Sequence, residues 1–116
     1  MGVSVYYTAE RAKPLSTLEK NAIESIQNEY SASINVEGEC LDFYDSDDYE
    51  GNVILDGSVK LPLYSEDAAT IGLRHWRNCL TELRRAISNA EWKVALEDDE
   101  FDWDEQHGWS LPGLDD

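Results

Sequence analysis

Carboxylate side chains crowd two stretches of the sequence, and carboxylates can bind metal cations or pair with basic side chains of another protein. Residues 42–56 contain six acids, residues 97–116 contain nine, and neither stretch contains Lys or Arg. The other 81 residues contain ten acids and nine bases. These two stretches, the first and second acidic blocks, therefore account for almost the whole net charge of −16.

Neither block has the spacing of a metal or catalytic site. An EF-hand calcium loop needs Gly at its sixth position and an acid at its twelfth, whereas placing Gly51 sixth puts Ser46 first and Gly57 twelfth. The sequence has no glycine-rich phosphate loop, nucleophile elbow or Cys/His cluster, and His75 and His107 are isolated histidines. We expect no metal, no cofactor and no enzymatic activity.

Aromatic residues lie among the acids of both blocks, which is typical of a protein–protein interface with apolar anchors inside a charged rim. Two alternatives stay open: the acids can serve solubility alone, and the aromatics can fold back onto the core. The residues predicted to bind a partner are Asp45, Asp47, Asp48, Tyr49, Glu50, Asp98, Asp99, Asp102, Trp103, Asp104, Glu105 and Trp109.

Four of the nine bases fall within one predicted helix, where they share a face away from its apolar residues: Arg74, Arg77, Arg84 and Arg85. Arginine binds phosphate and carboxylate groups through a bidentate fork. The alternatives are that these arginines receive the chain's own acids or stay solvated. A net charge of −16 predicts no direct binding to nucleic acid.

The elements expected to position these residues follow from periodicity and capping. Two helices are predicted, one from residue 17 to about 30 behind a Ser16–Glu19 capping box, and one from Ser65 to about 88 with apolar spacings of 4, 3, 4, 3 and 4. The predicted strands are 3–8, 33–37 and 39–44 (one bulged strand or two short ones), 53–55 and 58–61 joined by an Asp56-Gly57 turn, and 91–97.

This order predicts an α+β fold, a two-layer sandwich in which two helices cover one face of an antiparallel sheet of four to five strands. If residues 33–44 count as two strands, the order matches a ferredoxin-like arrangement. We expect one domain over 1–96 and an acidic, aromatic C-terminal segment over 97–116.

The composition also predicts where the protein is found. No apolar run is long enough to span a membrane, and the N-terminus lacks a basic-then-apolar signal segment. Cys40 and Cys79 are too few for a disulfide scaffold, and two thiols fit a reducing compartment. We expect a cytoplasmic protein that does not bind membranes.

A small, strongly acidic α+β chain without catalytic motifs resembles the immunity proteins of bacterial toxin systems as a class, and nucleic-acid mimics share its charge pattern. The resemblance rests on overall character rather than on aligned residues. It implies an inhibitor that binds and occludes a basic protein partner, with a toxin nuclease domain as the expected class. The alternative is a regulatory protein-binding module that uses a sheet edge or the arginine face of the second helix.

Overall fold

The computed structural model describes residues 3–34, 40–44, 49, 51–62 and 64–111. These residues form two helices and six strands, and both helices pack on the larger sheet. The elements are β1 (Ser4–Glu10), α1 (Thr17–Ser33), β2 (Val53–Lys60), α2 (Glu66–Ala86), β3 (Glu91–Leu96), β4 (Asp99–Glu100), β5 (Asp102–Asp104) and β6 (Gly108–Ser110).

The predicted α+β class is confirmed. The larger sheet has the order β2-β1-β3-β4 with every pair antiparallel, and β5 and β6 form a separate hairpin. The ferredoxin-like alternative needs two strands between the helices. The described residues hold one strand there, β2, which pairs antiparallel with β1 on the side away from β3. The order β2-β1-β3 is that of the third, first and fourth strands of a ferredoxin-like sheet, and the described residues lack its second strand.

The core lies between the helices and one face of the sheet. Alternate residues of β1 point into it, with Val5, Tyr7 and Ala9 at most 1% exposed, as the two-residue period of a strand requires. α2 supplies most of the helical side of the core, including Trp76 and Leu80. Of the helices among the described residues, none has the length and apolar character needed to cross a membrane.

Both predicted helix starts are confirmed by their caps. The Ser16 hydroxyl accepts from the amide of Glu19 at 3.1 Å, and the Glu19 carboxylate accepts from the amide of Ser16 at 2.9 Å. Ser65 caps α2 by accepting from the Ala68 amide at 3.0 Å. These bonds satisfy amides that have no partner within the first turn of a helix.

The hairpin predicted at Asp56-Gly57 is wrong. Both residues lie inside the continuous strand β2, opposite Thr8 and Tyr7 of β1, and Gly57 does not have a positive φ. A side chain at Gly57 would overlap the carbonyl oxygen of Asp42 and come within 2.7 Å of the Tyr7 ring. Glycine is needed here because another segment of the chain approaches closely, and the Asp-Gly motif in the sequence does not show that requirement.

The strand predicted over 39–44 is also corrected, since residues 40–44 form no strand; residues 35–39 lie outside the described residues. The segment instead follows the free edge of β2, where the Tyr44 amide donates to the Asp56 carbonyl at 2.7 Å. The buried hydroxyl of Tyr7 donates to the Asp42 carbonyl, and the Asp42 amide donates back to that hydroxyl at 3.1 Å. The segment thus covers an edge that would otherwise be open to pairing.

Arg11 ties the end of β1 to the start of α1 and to the turn after α2. Its guanidinium donates to Glu19 Oε2 at 2.8 Å, to Asn89 Oδ1 at 2.6 Å, and to the carbonyls of Lys13 and Pro14 at 2.7 and 3.0 Å. A further bond reaches the second carboxylate oxygen of Glu19. All five N–H groups of this arginine therefore have acceptors.

A Gly57→Ala substitution is expected to lower the free energy of unfolding by about 3 kcal/mol, because the added methyl group overlaps backbone and ring atoms that cannot both move. Urea denaturation measures the change. Ser58→Ala, on the opposite face of the same strand, is the control and should cost about 1 kcal/mol or less. Equal losses for the two variants would contradict the close approach.

The Arg11–Glu19 pair predicts a specific pH dependence. Its hydrogen bonds lower the pKa of Glu19 from 4.5 to about 2, so its contribution to stability is complete above pH 4.5 and is lost as the pH falls toward 2. Glu19→Gln should lower the melting temperature at neutral pH, and its difference from wild type should shrink across that window. Glu24→Gln, on the exposed side of α1, should show no such convergence.

Candidate functional site

The second acidic block starts in the connection between β3 and β4. Leu96 pairs with Asp99, so Glu97 and Asp98 form a two-residue turn. Glu97 has a φ of 52°, a conformation that costs a residue other than glycine free energy. Its amide donates to the Ser4 carbonyl at 3.0 Å and its carboxylate accepts from the Ser4 amide at 2.9 Å. The turn is thereby fixed to the N-terminal end of β1.

After β4 the chain enters the core and then forms the β5–β6 hairpin against α2. Phe101 is 6% exposed and Trp109 is 4% exposed. The Trp109 amide donates to Thr81 Oγ1 at 3.2 Å, and its indole N–H donates to the Leu80 carbonyl at 3.3 Å. Gly108 has a φ of 88°, and a Cβ there would lie 2.7 Å from Thr81 Oγ1. The hairpin can therefore approach the helix only because position 108 is glycine.

Two arginines of α2 stack on the tryptophans of the hairpin. The Arg84 guanidinium carbon lies 4.3 Å from the ring centroid of Trp103 and 4.8 Å from that of Trp109, and Arg85 lies 6.0 Å from Trp103. These distances are those of cation–π contacts. Burial lowers the pKa of Arg84, and the Glu105 carboxylate opposes that shift. The C-terminal half of the arginine face is thus covered by the chain's own hairpin.

The acids of the second block remain at the surface while its aromatics pack inward. All seven acids between residues 97 and 105 are exposed: Glu97, Asp98, Asp99, Glu100, Asp102, Asp104 and Glu105. Glu100 pairs with Lys93 at 3.0 Å, and Asp104 with His107 at 3.0 Å. Within 64–111 and the other described ranges, no salt bridge involves Asp98, Asp99 or Asp102.

Local hydrogen bonds hold two of these carboxylates in the turn of the hairpin. Asp104 accepts from His107 and from the Gln106 amide, which lowers its pKa below the ordinary value. Glu105 accepts from the Trp103 indole N–H at 2.9 Å. Asp98, Asp99 and Glu100 also line a surface depression of about 520 Å³ together with Leu111. Residues 97–111 of the block therefore form an anionic surface in the folded protein.

The first acidic block is only partly covered by the structure. Asp45, Asp47, Asp48 and Glu50 lie outside the described residues. Tyr49 is half-buried, and its hydroxyl donates to the Asp56 carbonyl at 3.5 Å. Two further acids of the block hold the local fold. Asp42 accepts from Gln27 at 3.2 Å, and Asp56 accepts from the Thr8 hydroxyl at 3.1 Å.

The acids of the two blocks that lie in described strands are at opposite edges of the larger sheet. Asp56 belongs to β2 at one edge, whereas Asp99 and Glu100 form β4 at the other. Three interstrand spacings of about 4.8 Å separate those edges by roughly 14 Å. A single acidic patch made of both blocks is therefore not found among the described residues, and the second block is the candidate surface by itself.

The remaining candidate groups have structural partners. His75 contacts the Tyr30 carbonyl at 2.6 Å and connects the two helices. Cys79 is buried, which raises the pKa of its thiol to about 12. No group of three or more metal-ligating side chains occurs in the part of the chain that the structure describes.

Sequence reasoning missed the residues that the sheet leaves exposed. Tyr6 and Tyr44 are 45% and 47% exposed, while Trp109, predicted to contact a partner, is in the core. The alternation of Val5, Tyr6 and Tyr7 marks Tyr6 as lying opposite the core face, and this signal was available in the sequence. Comparison of the chain with protein-family models, curated proteins and solved structures finds no match, so function has to be argued from this surface.

The packing of the hairpin predicts unequal effects for its two tryptophans. Trp109→Ala should lower the free energy of unfolding by about 3–5 kcal/mol, because it removes a buried indole. Trp103→Ala should cost about 1 kcal/mol, since it removes half-buried stacking on Arg84. Urea denaturation followed by circular dichroism gives both values. A Trp109→Ala midpoint equal to that of wild type would contradict a hairpin that belongs to the core.

Proposed function

We propose that this chain is a non-catalytic inhibitor that binds a basic protein partner through the second acidic block and occludes it. The observation that carries the proposal is the exposure of Asp98, Asp99 and Asp102 on an ordered surface without a salt bridge in the described ranges. Carboxylates already paired within a protein contribute little to a partner, whereas exposed unpaired ones attract cationic side chains.

The electrostatics of the surface favour fast association. Acids concentrated on one surface produce a field that steers a cationic partner and raises the association rate at low ionic strength. The Debye length of about 8 Å at physiological salt limits that field to the final approach. A net charge of −16 on 116 residues makes nucleic acid an unfavourable ligand. A protein with a basic surface is the complementary partner.

The anchoring of residues 97–110 supports binding rather than solvation alone. Their acids lie on a turn hydrogen-bonded to Ser4 and on a hairpin hydrogen-bonded to Thr81. Holding charged groups in place before binding reduces the entropy lost when a complex forms. A toxin nuclease domain, which must bind nucleic acid through a basic surface, is the class of partner that we propose, and cytoplasmic location follows from that role.

A second candidate is a regulatory module that binds through the edge of β3. β4 pairs only with Ala95 and Leu96, and the Phe101 amide donates to the Val94 carbonyl. Among the described residues, Glu91–Lys93 therefore have no strand beside them on that side. The arginine face is a less favourable docking surface, because the hairpin aromatics already stack on Arg84 and Arg85.

The proposal predicts a selective loss of association rate in a charge-neutralised variant. Asp98→Asn, Asp99→Asn and Asp102→Asn combined should slow association with the basic partner at least tenfold at low salt. The dissociation rate should change less, and the difference from wild type should diminish as salt screens the field. Stopped-flow or surface plasmon resonance over a salt series measures both rates.

A control of equal net charge separates the local surface from the overall charge. Glu24→Gln, Glu29→Gln and Glu66→Gln remove three exposed acids that lie on the helices, outside the second block and away from β3. This variant should associate within about twofold of the wild-type rate. Equal rates for both triple variants would contradict the proposal, whereas binding lost only after substitutions along Glu91–Lys93 would support the regulatory module.

A further inference from the structure

The outer face of the sheet, away from the helices, carries a row of side chains that reaches the second acidic block. Strand register places Ser58 of β2 opposite Tyr6 of β1, Tyr6 opposite Ala95 of β3, and Ala95 opposite Glu100 of β4. Tyr44 joins the far end of the row, where its hydroxyl lies 2.8 Å from the hydroxyl of Ser58. We call this row, from Tyr44 to Glu100, the tyrosine row.

The composition of the row is that of an interface centre. Tyr6 and Tyr44 are among the exposed large hydrophobic residues of the described chain, and tyrosine is enriched among residues that dominate binding energies. Small side chains, Ser58 and Ala95, stand on both sides of Tyr6. A ring beside small residues gives both a projection and shallow recesses into which a partner side chain can pack.

Charged groups surround this centre as a rim. In the neighbouring row, Asp56 and Lys93 stand on either side of Thr8, and Glu10 and Glu91 form the row beyond it. Lys93 is already paired with Glu100 at 3.0 Å, and Lys60, opposite Ser4 in the row on the other side of Tyr6, adds a second positive charge. The four acids Glu10, Asp56, Glu91 and Glu100 outnumber these two lysines, so the rim is net acidic, and Glu100 extends it onto β4.

The charge of the rim indicates which kind of molecule binds on the tyrosine row. A second copy of this chain carries the same net charge of −16 and would bring acidic rims together, and single-stranded nucleic acid meets the same repulsion. A basic protein is the occupant whose charge complements the rim. β4 contributes residues to both surfaces, so a protein bound to the second acidic block can also contact the tyrosine row.

We propose that Tyr6 and Tyr44 are the apolar anchors for the basic partner, in the place that sequence analysis assigned to Trp103 and Trp109. This inference rests on the proposed function and extends its footprint from β4 across the outer face of the sheet. The two tryptophans pack on Arg84, so they support the acidic surface from within, while the tyrosines remain exposed for contact.

Site-specific photocrosslinking tests the footprint in cells of the native host. The photoreactive residue p-benzoylphenylalanine replaces Tyr6, Asp99 or Ile71 in three separate full-length chains. Ile71 is the matched control, since it is 44% exposed and lies on α2. We expect positions 6 and 99 to give an adduct with one and the same protein of isoelectric point above about 9, and position 71 to give none.

Every other result contradicts either the tyrosine row or the second acidic block as part of the binding surface. An adduct from position 99 without one from position 6 removes the tyrosine row and leaves the proposed function standing. An adduct from position 6 without one from position 99 removes the acidic block as the binding surface. Position 6 crosslinked to a second copy of this chain, or no adduct from either position, overturns the anchor assignment.

Affinity measurements with the purified crosslinked protein then test the anchors themselves. Tyr6→Thr, which keeps a residue that favours strands, and Tyr44→Ala should each weaken binding at least tenfold. Tyr6→Phe keeps the ring and should bind within about threefold of wild type, as should Ile71→Ala. Thermal melts show which variants remain folded. Unchanged affinity in folded Tyr6→Thr and Tyr44→Ala overturns the proposal.

Discussion

The burial of Trp109 against α2 is the contact on which the character of the C-terminal segment depends. The indole and its backbone amide both donate to α2, and Gly108 allows the strand to approach Thr81. Once β6 is fixed, β5 must lie beside it, with Trp103 opposite Trp109. Alternation along β5 then turns Trp103 toward Arg84 and leaves Asp102 and Asp104 at the surface.

Aromatic and acidic residues alternate along the C-terminal segment. The fold separates them, because the aromatics pack inward and the acids stay exposed. The aromatics enlarge the core, and Arg84 stacks on both tryptophans of the hairpin. Asp98, Asp99 and Asp102 are left without salt bridges in the described ranges. Lys93 pairs with Glu100, and Arg84 and Arg85 lie against the hairpin tryptophans.

The protein has two layers, and the described helices cover only one face of the larger sheet. Helices cover the side on which Val5 and Tyr7 lie, and the opposite side carries Tyr6 among small residues with charges around them. Interfaces combine an apolar centre with a polar rim because water must be excluded from the contacts that carry the energy. In the proposed interface the tyrosines are the apolar centre, and Glu100 of β4 belongs to the rim.

The sequence by itself determined the features that depend on near neighbours: the capped starts of both helices, the alternation of β1 and β3, and the concentration of acids after residue 96. Tertiary structure decided the features that depend on distant residues. Asp56-Gly57 lies within a strand because the Asp42 carbonyl and the Tyr7 ring occupy the space of a side chain. Trp109 is buried because it packs on α2, and the local sequence does not show which aromatic residue a distant helix covers.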